Sequence, residues 1–273
     1  MSNSKPVSNP KPTPPPPPPP LPNSKPLPPP QKLRLLCLHG YRTSGAIMKE
    51  QLAKAKWNEV IDDIVDLTFM NAWWPATGPS DVKDSYNLPY YEWYQANKDF
   101  SEVYGLDESM VHLNKTINEN GPFDGLLAFS QGAVLACALI GLQEKGLKFV
   151  DAPKFGRIVV VGGATSKAIP LKPAYFDPIS CPSLHFIGEQ DGTCKKAELL
   201  AKKFNGAIVV RHPGGRVVPK LGLLLKHSET FLQDECQNQH KSKSKLCFMQ
   251  ISLLEIWAQP NIEFMAFAYV SYG

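Results

Sequence analysis

The sequence predicts an α/β fold with a mostly parallel, doubly wound sheet and helices on both faces. Three observations predict it. Short, largely apolar runs end at glycine: 33–38 before His39-Gly40, 157–161 before Gly162-Gly163, and 183–187 before Gly188. Such runs suit strands buried on both faces. Stretches with helical spacing of apolar residues lie between them, and strand–helix alternation implies a parallel sheet. The length of 273 residues, 43% of them hydrophobic, suffices for one sizeable α/β core rather than two.

The elements follow in order. Residues 1–31 hold more than half of the 27 prolines, including an unbroken run from Pro14 to Pro20. Proline fixes φ and lacks an amide donor, so 1–31 reads as a disordered, extended proline-rich tail. A proline-reading domain of the SH3, WW or profilin-like kind is the partner such a tail would have; a tail with no dedicated partner has the same composition. The α/β domain occupies 32–221. It opens with a strand at 33–38 and a helix at 44–56, whose Ile47, Met48 and Leu52 share one side. A second strand follows at 64–70. Residues 71–104 are rich in aromatics, including Trp74, Tyr86, Tyr90, Trp93 and Tyr94. They read as an aromatic-rich cap loop, or as satellite packing around a long connection. A helix at 106–119, a strand at 123–129 and a helix at 131–145 come next. Strands at 157–161 and 183–187, a helix at 197–204 and a strand at 207–211 complete the alternation. The segment 222–273 has no recognisable pattern of its own and forms a divergent C-terminal segment.

Charge and cysteine usage exclude several classes. A net charge of +4 with scattered lysines gives no nucleic-acid stripe. The six cysteines have no C-x-x-C or zinc-site spacing, so they read as free thiols in a reducing compartment. No run approaches the roughly 18 apolar residues of a membrane span, and the N-terminus lacks the pattern of a secretory signal. A cytoplasmic or nuclear protein is expected.

The chemistry concentrates in Ala128-Phe-Ser-Gln-Gly132. A serine on a sharp strand-to-helix turn is held off the sheet with its Oγ exposed, and the turn needs small residues two positions either side. A helix-capping serine would give the same letters, but the placement favours a nucleophile. The Gln131 amide, at the start of the helix, is the natural first oxyanion donor. Cys37-Leu-His-Gly-Tyr-Arg42 supplies a second candidate, the Tyr41 amide. His39 reads as an anchor of that turn in preference to a base. After the 183–187 strand, Gly188-Glu-Gln-Asp191-Gly192 offers an acid able to orient a histidine: Asp191, with Glu189 second.

Five segments in one order carry a resemblance. They are Cys37-Leu-His-Gly-Tyr41, the Trp74–Tyr94 aromatic region, Gly125-Leu-Leu-Ala-Phe-Ser-Gln-Gly-Ala133, Ile187-Gly-Glu-Gln-Asp191 and His212-Pro-Gly-Gly-Arg-Val-Val-Pro219. Over 33–221 the chain resembles the FSH family of serine hydrolases, which includes the ovarian-cancer-associated serine hydrolase, and plant-type members resemble it as well. The resemblance implies an α/β-hydrolase fold and hydrolysis of a small-molecule carboxylic ester by a Ser-Asp-His triad. It implies neither cofactor nor metal. It places the nucleophile on Ser130 and the acid on Asp191. The family's histidine belongs at the second His of a His-x-Gly-Gly-His-x-x-Pro pattern, where this chain has Arg216. A guanidinium has no acceptor and cannot take the serine proton. His212, four residues earlier, is the substitute imidazole. Two expectations follow: an ester hydrolase using His212, or an impaired hydrolase-fold protein whose pocket serves binding.

Overall fold

The computed structural model describes residues 31–220, 231 and 232. The proline-rich tail at 1–30 and most of 222–273 lie outside these, and so do the expectations placed on them.

Six parallel strands form one sheet in the order β10-β9-β8-β7-β1-β2. They are β1 (Leu33–Leu38), β2 (Val65–Met70), β7 (Gly125–Phe129), β8 (Arg157–Val161), β9 (Ser183–Gly188) and β10 (Ile208–His212). Between β2 and β7 the chain adds two small antiparallel pairs. One joins β3 (Trp74–Pro75) to β4 (Tyr91–Glu92), the other β5 (Gln95–Ala96) to β6 (Val103–Tyr104). The expected aromatic region at 71–104 is thus a built substructure. The helices are α1 (Gly45–Lys54), α2 (Asn58–Ile61), α3 (Leu106–Asn120), α4 (Gln131–Glu144) and α5 (Cys194–Ala201), with a 3₁₀ helix at Ile169–Tyr175.

The apolar runs form buried strands because alternate side chains enter two separate cores. In β1, Leu36 and Leu38 join one core while Leu33, Leu35 and Cys37 join the other. The same division repeats in β7, with Leu126 and Ala128 against Leu127 and Phe129. The first core packs under α3, α4 and the 3₁₀ helix. The second lies under α1 and takes in Trp57 and Ile61 around α2. Helix α4 is buried almost all round, as its uninterrupted Ala-Val-Leu-Ala-Cys-Ala-Leu-Ile sequence requires. Each of its buried leucines, Leu135, Leu139 and Leu142, contributes about 1.5–3 kcal/mol of transfer free energy.

Boundaries moved at a few places. Helix α5 begins at Cys194, not 197, because the turn Asp191–Thr193 leads directly into it: the Cys194 amide donates to the Asp191 carbonyl at 2.8 Å and the Ala197 amide to the Thr193 carbonyl at 3.0 Å. The polar pair Lys195-Lys196 hides this first turn from an apolar-periodicity argument. Helix α2 and the 3₁₀ helix are too short to show a period.

Arg157, only 1% exposed at the start of β8, donates from Nη1 to the carbonyls of Phe231 (2.5 Å) and Leu232 (3.1 Å). It ties residues beyond 221 to the sheet. Among the described residues no helix is long and apolar enough to cross a membrane. Cys37, Cys137 and Cys194 are free thiols.

Candidate active site

Every strand of the six-stranded sheet runs the same way, so the loops that follow these strands gather at one rim. The order reverses between β7 and β1: one connection leads outward to β2, the other the opposite way to β8. The crevice at such a reversal is where open α/β sheets bind ligands. Leu38 pairs with Ala128, which sets the His39–Tyr41 turn beside Ser130.

Ser130 stands between β7 and α4 with φ 51° and ψ −114°. A positive φ at a side-chain-bearing residue costs of order 1–3 kcal/mol and persists only where its surroundings impose it. Here the Ser130 amide donates to the Val161 carbonyl at 2.9 Å, while the Ser130 carbonyl accepts from Val134 at 3.1 Å as α4 begins. The turn is also tightly enclosed. A Cβ on Gly132 would lie 2.5 Å from the carbonyl oxygens of both Leu38 and His39. Only glycine lets the end of β1 approach α4 this closely. A Cβ on Gly40 would come within 3.5 Å of the Ser130 Cβ.

Beside Ser130, the amides of Tyr41 and Gln131 donate no hydrogen bond among the described residues. Gln131 opens α4, where the helix dipole favours developing negative charge. The Gln131 side chain is engaged: its Oε1 accepts from the Trp93 amide at 3.0 Å and its Nε2 donates to the Tyr94 carbonyl at 2.7 Å.

His39 is an anchor. Its Nε2 accepts from the Ala72 amide at 3.0 Å, which leaves the proton on Nδ1, 2.8 Å from the Gly40 carbonyl. Burial lowers its pKa to about 4, against the opposing pull of the Gly40 bond. Both nitrogens are occupied and the ring stays neutral.

On the other side of the crevice, Asp191 follows β9. Its Oδ1 accepts from the Thr193 amide and hydroxyl, both at 2.8 Å. Arg216 lies across it, with Nε 3.1 Å from Oδ2 and Nη2 3.2 Å from Oδ1; Nη2 also donates to the Thr193 hydroxyl. Burial pushes the Asp191 pKa up, but the Arg216 and Thr193 hydrogen bonds outweigh it and hold the carboxyl below its usual range. Gly188 makes the arrangement possible. A Cβ there would meet the Gly215 carbonyl at 2.2 Å, so the 214–216 backbone could not cross the end of β9.

Ser130, Tyr41, Asp191 and Arg216 line one cavity of about 730 Å³. Its far wall is α1, through Lys54 and Ala55, and the 81–86 turn, through Val82 and Tyr86. The Lys54 ammonium sits 4.2 Å from the centre of the Tyr86 ring. Of the aromatics in 71–104, Tyr86 alone lines the cavity; Tyr90, Trp93 and Tyr94 are buried in the fold.

His212 ends β10 and is 7% exposed, but it does not line the cavity. Its imidazole makes no hydrogen bond among the described residues. Burial lowers its pKa, while the charges of Asp191 and Glu189 act in the opposite direction. Glu189 donates its amide to the His212 carbonyl at 2.9 Å. Among the described residues no group of three or more His, Cys, Asp or Glu is placed to hold a metal ion. Sequence reasoning missed Thr193, whose position two residues after the acid was the available signal. It also missed Trp93, which looks in the sequence like any other aromatic of its segment.

Comparisons with known proteins identify the family and the fold. The family model described as "Serine hydrolase (FSH1)" matches residues 29–226. Esterase CG5412 of Drosophila melanogaster is 31% identical over 218 residues, covering 76% of this chain and 76% of its own. Human esterase OVCA2 is 31% identical over 207 residues, covering 68% of this chain and 89% of its own. Among solved structures, esterase PE8 matches with a TM-score of 0.50 at 17% identity, over 74% of this chain and 92% of that one, a likeness of fold. The chain belongs to the FSH1 family of serine hydrolases, with the α/β-hydrolase-like fold built on its six-stranded parallel sheet.

Proposed function

We propose that the chain binds small carboxylic esters at the cavity and cleaves them through Ser130. The observation that carries this reading is the strained Ser130 turn, opening into the same cavity as Asp191. In the reaction, Oγ attacks the ester carbonyl and the carbonyl oxygen becomes an oxyanion between the Tyr41 and Gln131 amides. The alcohol leaves and an acyl-serine remains, which water then cleaves to the acid. The stretch 81–86 acts as the cap, and the apolar side chains of Ala55, Val82 and Val218 receive the acyl chain.

The serine proton needs an acceptor. Arg216 offers none, and Asp191 in its grip is a weak base. Among the described residues His212 is the imidazole that ends β10 near Asp191, and it would have to approach the cavity to serve. This favours a second reading, in which turnover is impaired and the pocket mainly binds. Triad members act as a unit, and loss of one costs on the order of 10⁴–10⁶ in rate. Oxyanion stabilisation and binding alone leave a residual acceleration of roughly 10³ over water.

A fluorophosphonate probe separates the readings. Labelling of the purified chain that disappears in Ser130→Ala supports the nucleophile. An unlabelled wild-type chain leaves the binding reading standing and removes the catalytic one.

A further inference from the structure

The geometry points to Trp93 as a positioning residue that sets the spacing between the two oxyanion amides; this rests on the ester-cleaving reading above. Trp93 is fully buried, with Glu92 and Tyr94 buried on either side of it. Three of its polar groups are used, and two of them reach opposite arms of the candidate oxyanion hole. Its indole Nε1 donates to the His39 carbonyl at 2.8 Å, two residues before Tyr41. Its backbone amide donates to the Gln131 side chain at 3.0 Å. Its carbonyl accepts from the Ser109 hydroxyl, which fixes the strut to α3. The ring also packs on the His39 imidazole, centroids 5.2 Å apart.

The two arms come from different strands, β1 and β7. Trp93 bridges them by hydrogen bonds outside the sheet. Misplacing donors by about 1 Å costs on the order of 100-fold in rate, because the stabilisation depends on pre-set geometry. Trp93→Phe keeps the ring and removes the indole N–H. Gln131→Leu keeps the half-buried volume and releases the Trp93 amide. Both should loosen the spacing while leaving the cavity walls in place.

The test measures fluorophosphonate labelling of the full chain, split into binding (KI) and acylation (kinact). Trp93→Phe and Gln131→Leu should each lower kinact by about 10-fold or more with KI within about 3-fold. Trp74→Phe is the control: it removes an indole bond of the same kind, to the Gly105 carbonyl at 2.8 Å, from the same segment. Its kinact should stay within about 2-fold of wild type. Equal losses in Trp93→Phe and Trp74→Phe would overturn the proposal, as would an unchanged kinact in Gln131→Leu. Should Trp93→Phe fail to fold, Gln131→Leu against Trp74→Phe decides. A wild-type chain that does not label contradicts the ester-cleaving reading and this inference with it; a labelling wild type with unaffected variants contradicts this inference alone.

Discussion

The guanidinium of Arg216 closes on the carboxylate of Asp191 through two hydrogen bonds, 3.1 and 3.2 Å long, at the edge of the Ser130 cavity. A triad acid normally directs a histidine; Asp191 is paired with a cation instead.

Arg216→His therefore puts an acceptor beside Asp191 at the position where the family pattern has one. Hydrolysis of a p-nitrophenyl ester should rise by at least about 100-fold, given that one missing triad member costs on the order of 10⁴–10⁶. Steady-state rates of wild type and variant measure it. An unchanged rate would show that position 216 is not what limits turnover.

The same ion pair ties stability to pH. Asp191 has its pKa lowered in the folded chain, so it contributes stability that is present above the unfolded value near 3.9. That contribution is lost as pH falls through the lower, folded value. Asp191→Asn should cost about 1 kcal/mol or less at pH 7, as Arg216 is partly exposed. The difference should shrink below about pH 4. Urea unfolding of both proteins at pH 7 and pH 3 measures it; a difference that grows in acid would contradict the pairing.

Ser130→Gly should stabilise the fold. The φ of 51° at Ser130 strains any residue with a Cβ, and glycine adopts it freely. A gain of about 1 kcal/mol over Ser130→Ala is expected, read as a higher midpoint in denaturant. Equal midpoints would mean the turn is unstrained.

Gly132→Ala should have the opposite effect. The new methyl would sit 2.5 Å from two backbone oxygens, neither of which can swing away. A loss of about 3 kcal/mol or failure to fold is expected, at the upper end of overpacking costs. A soluble variant with wild-type midpoint would refute the close approach of β1 and α4.

Much of the fold was legible because burial leaves a linear trace. The strand Arg157–Val161 is apolar from Ile158 onward, and Gly162 marks where it stops. The elbow was legible because a serine there needs small neighbours at 128 and 132. The substitution at 216 was legible as a letter, but its contact with Asp191 was not. That contact depends on the 214–216 backbone crossing Gly188, a close approach between residues distant in sequence. Trp93 was illegible for a related reason. Its role lies in backbone and indole bonds to His39 and Gln131, which no local pattern records.

The all-parallel sheet has one more consequence. The interstrand ladder and both apolar layers lie below the rim, so Ser130, Asp191 and Arg216 sit on turns outside the two cores. A side chain on the β10 loop, such as Arg216, can then be exchanged without touching either apolar layer.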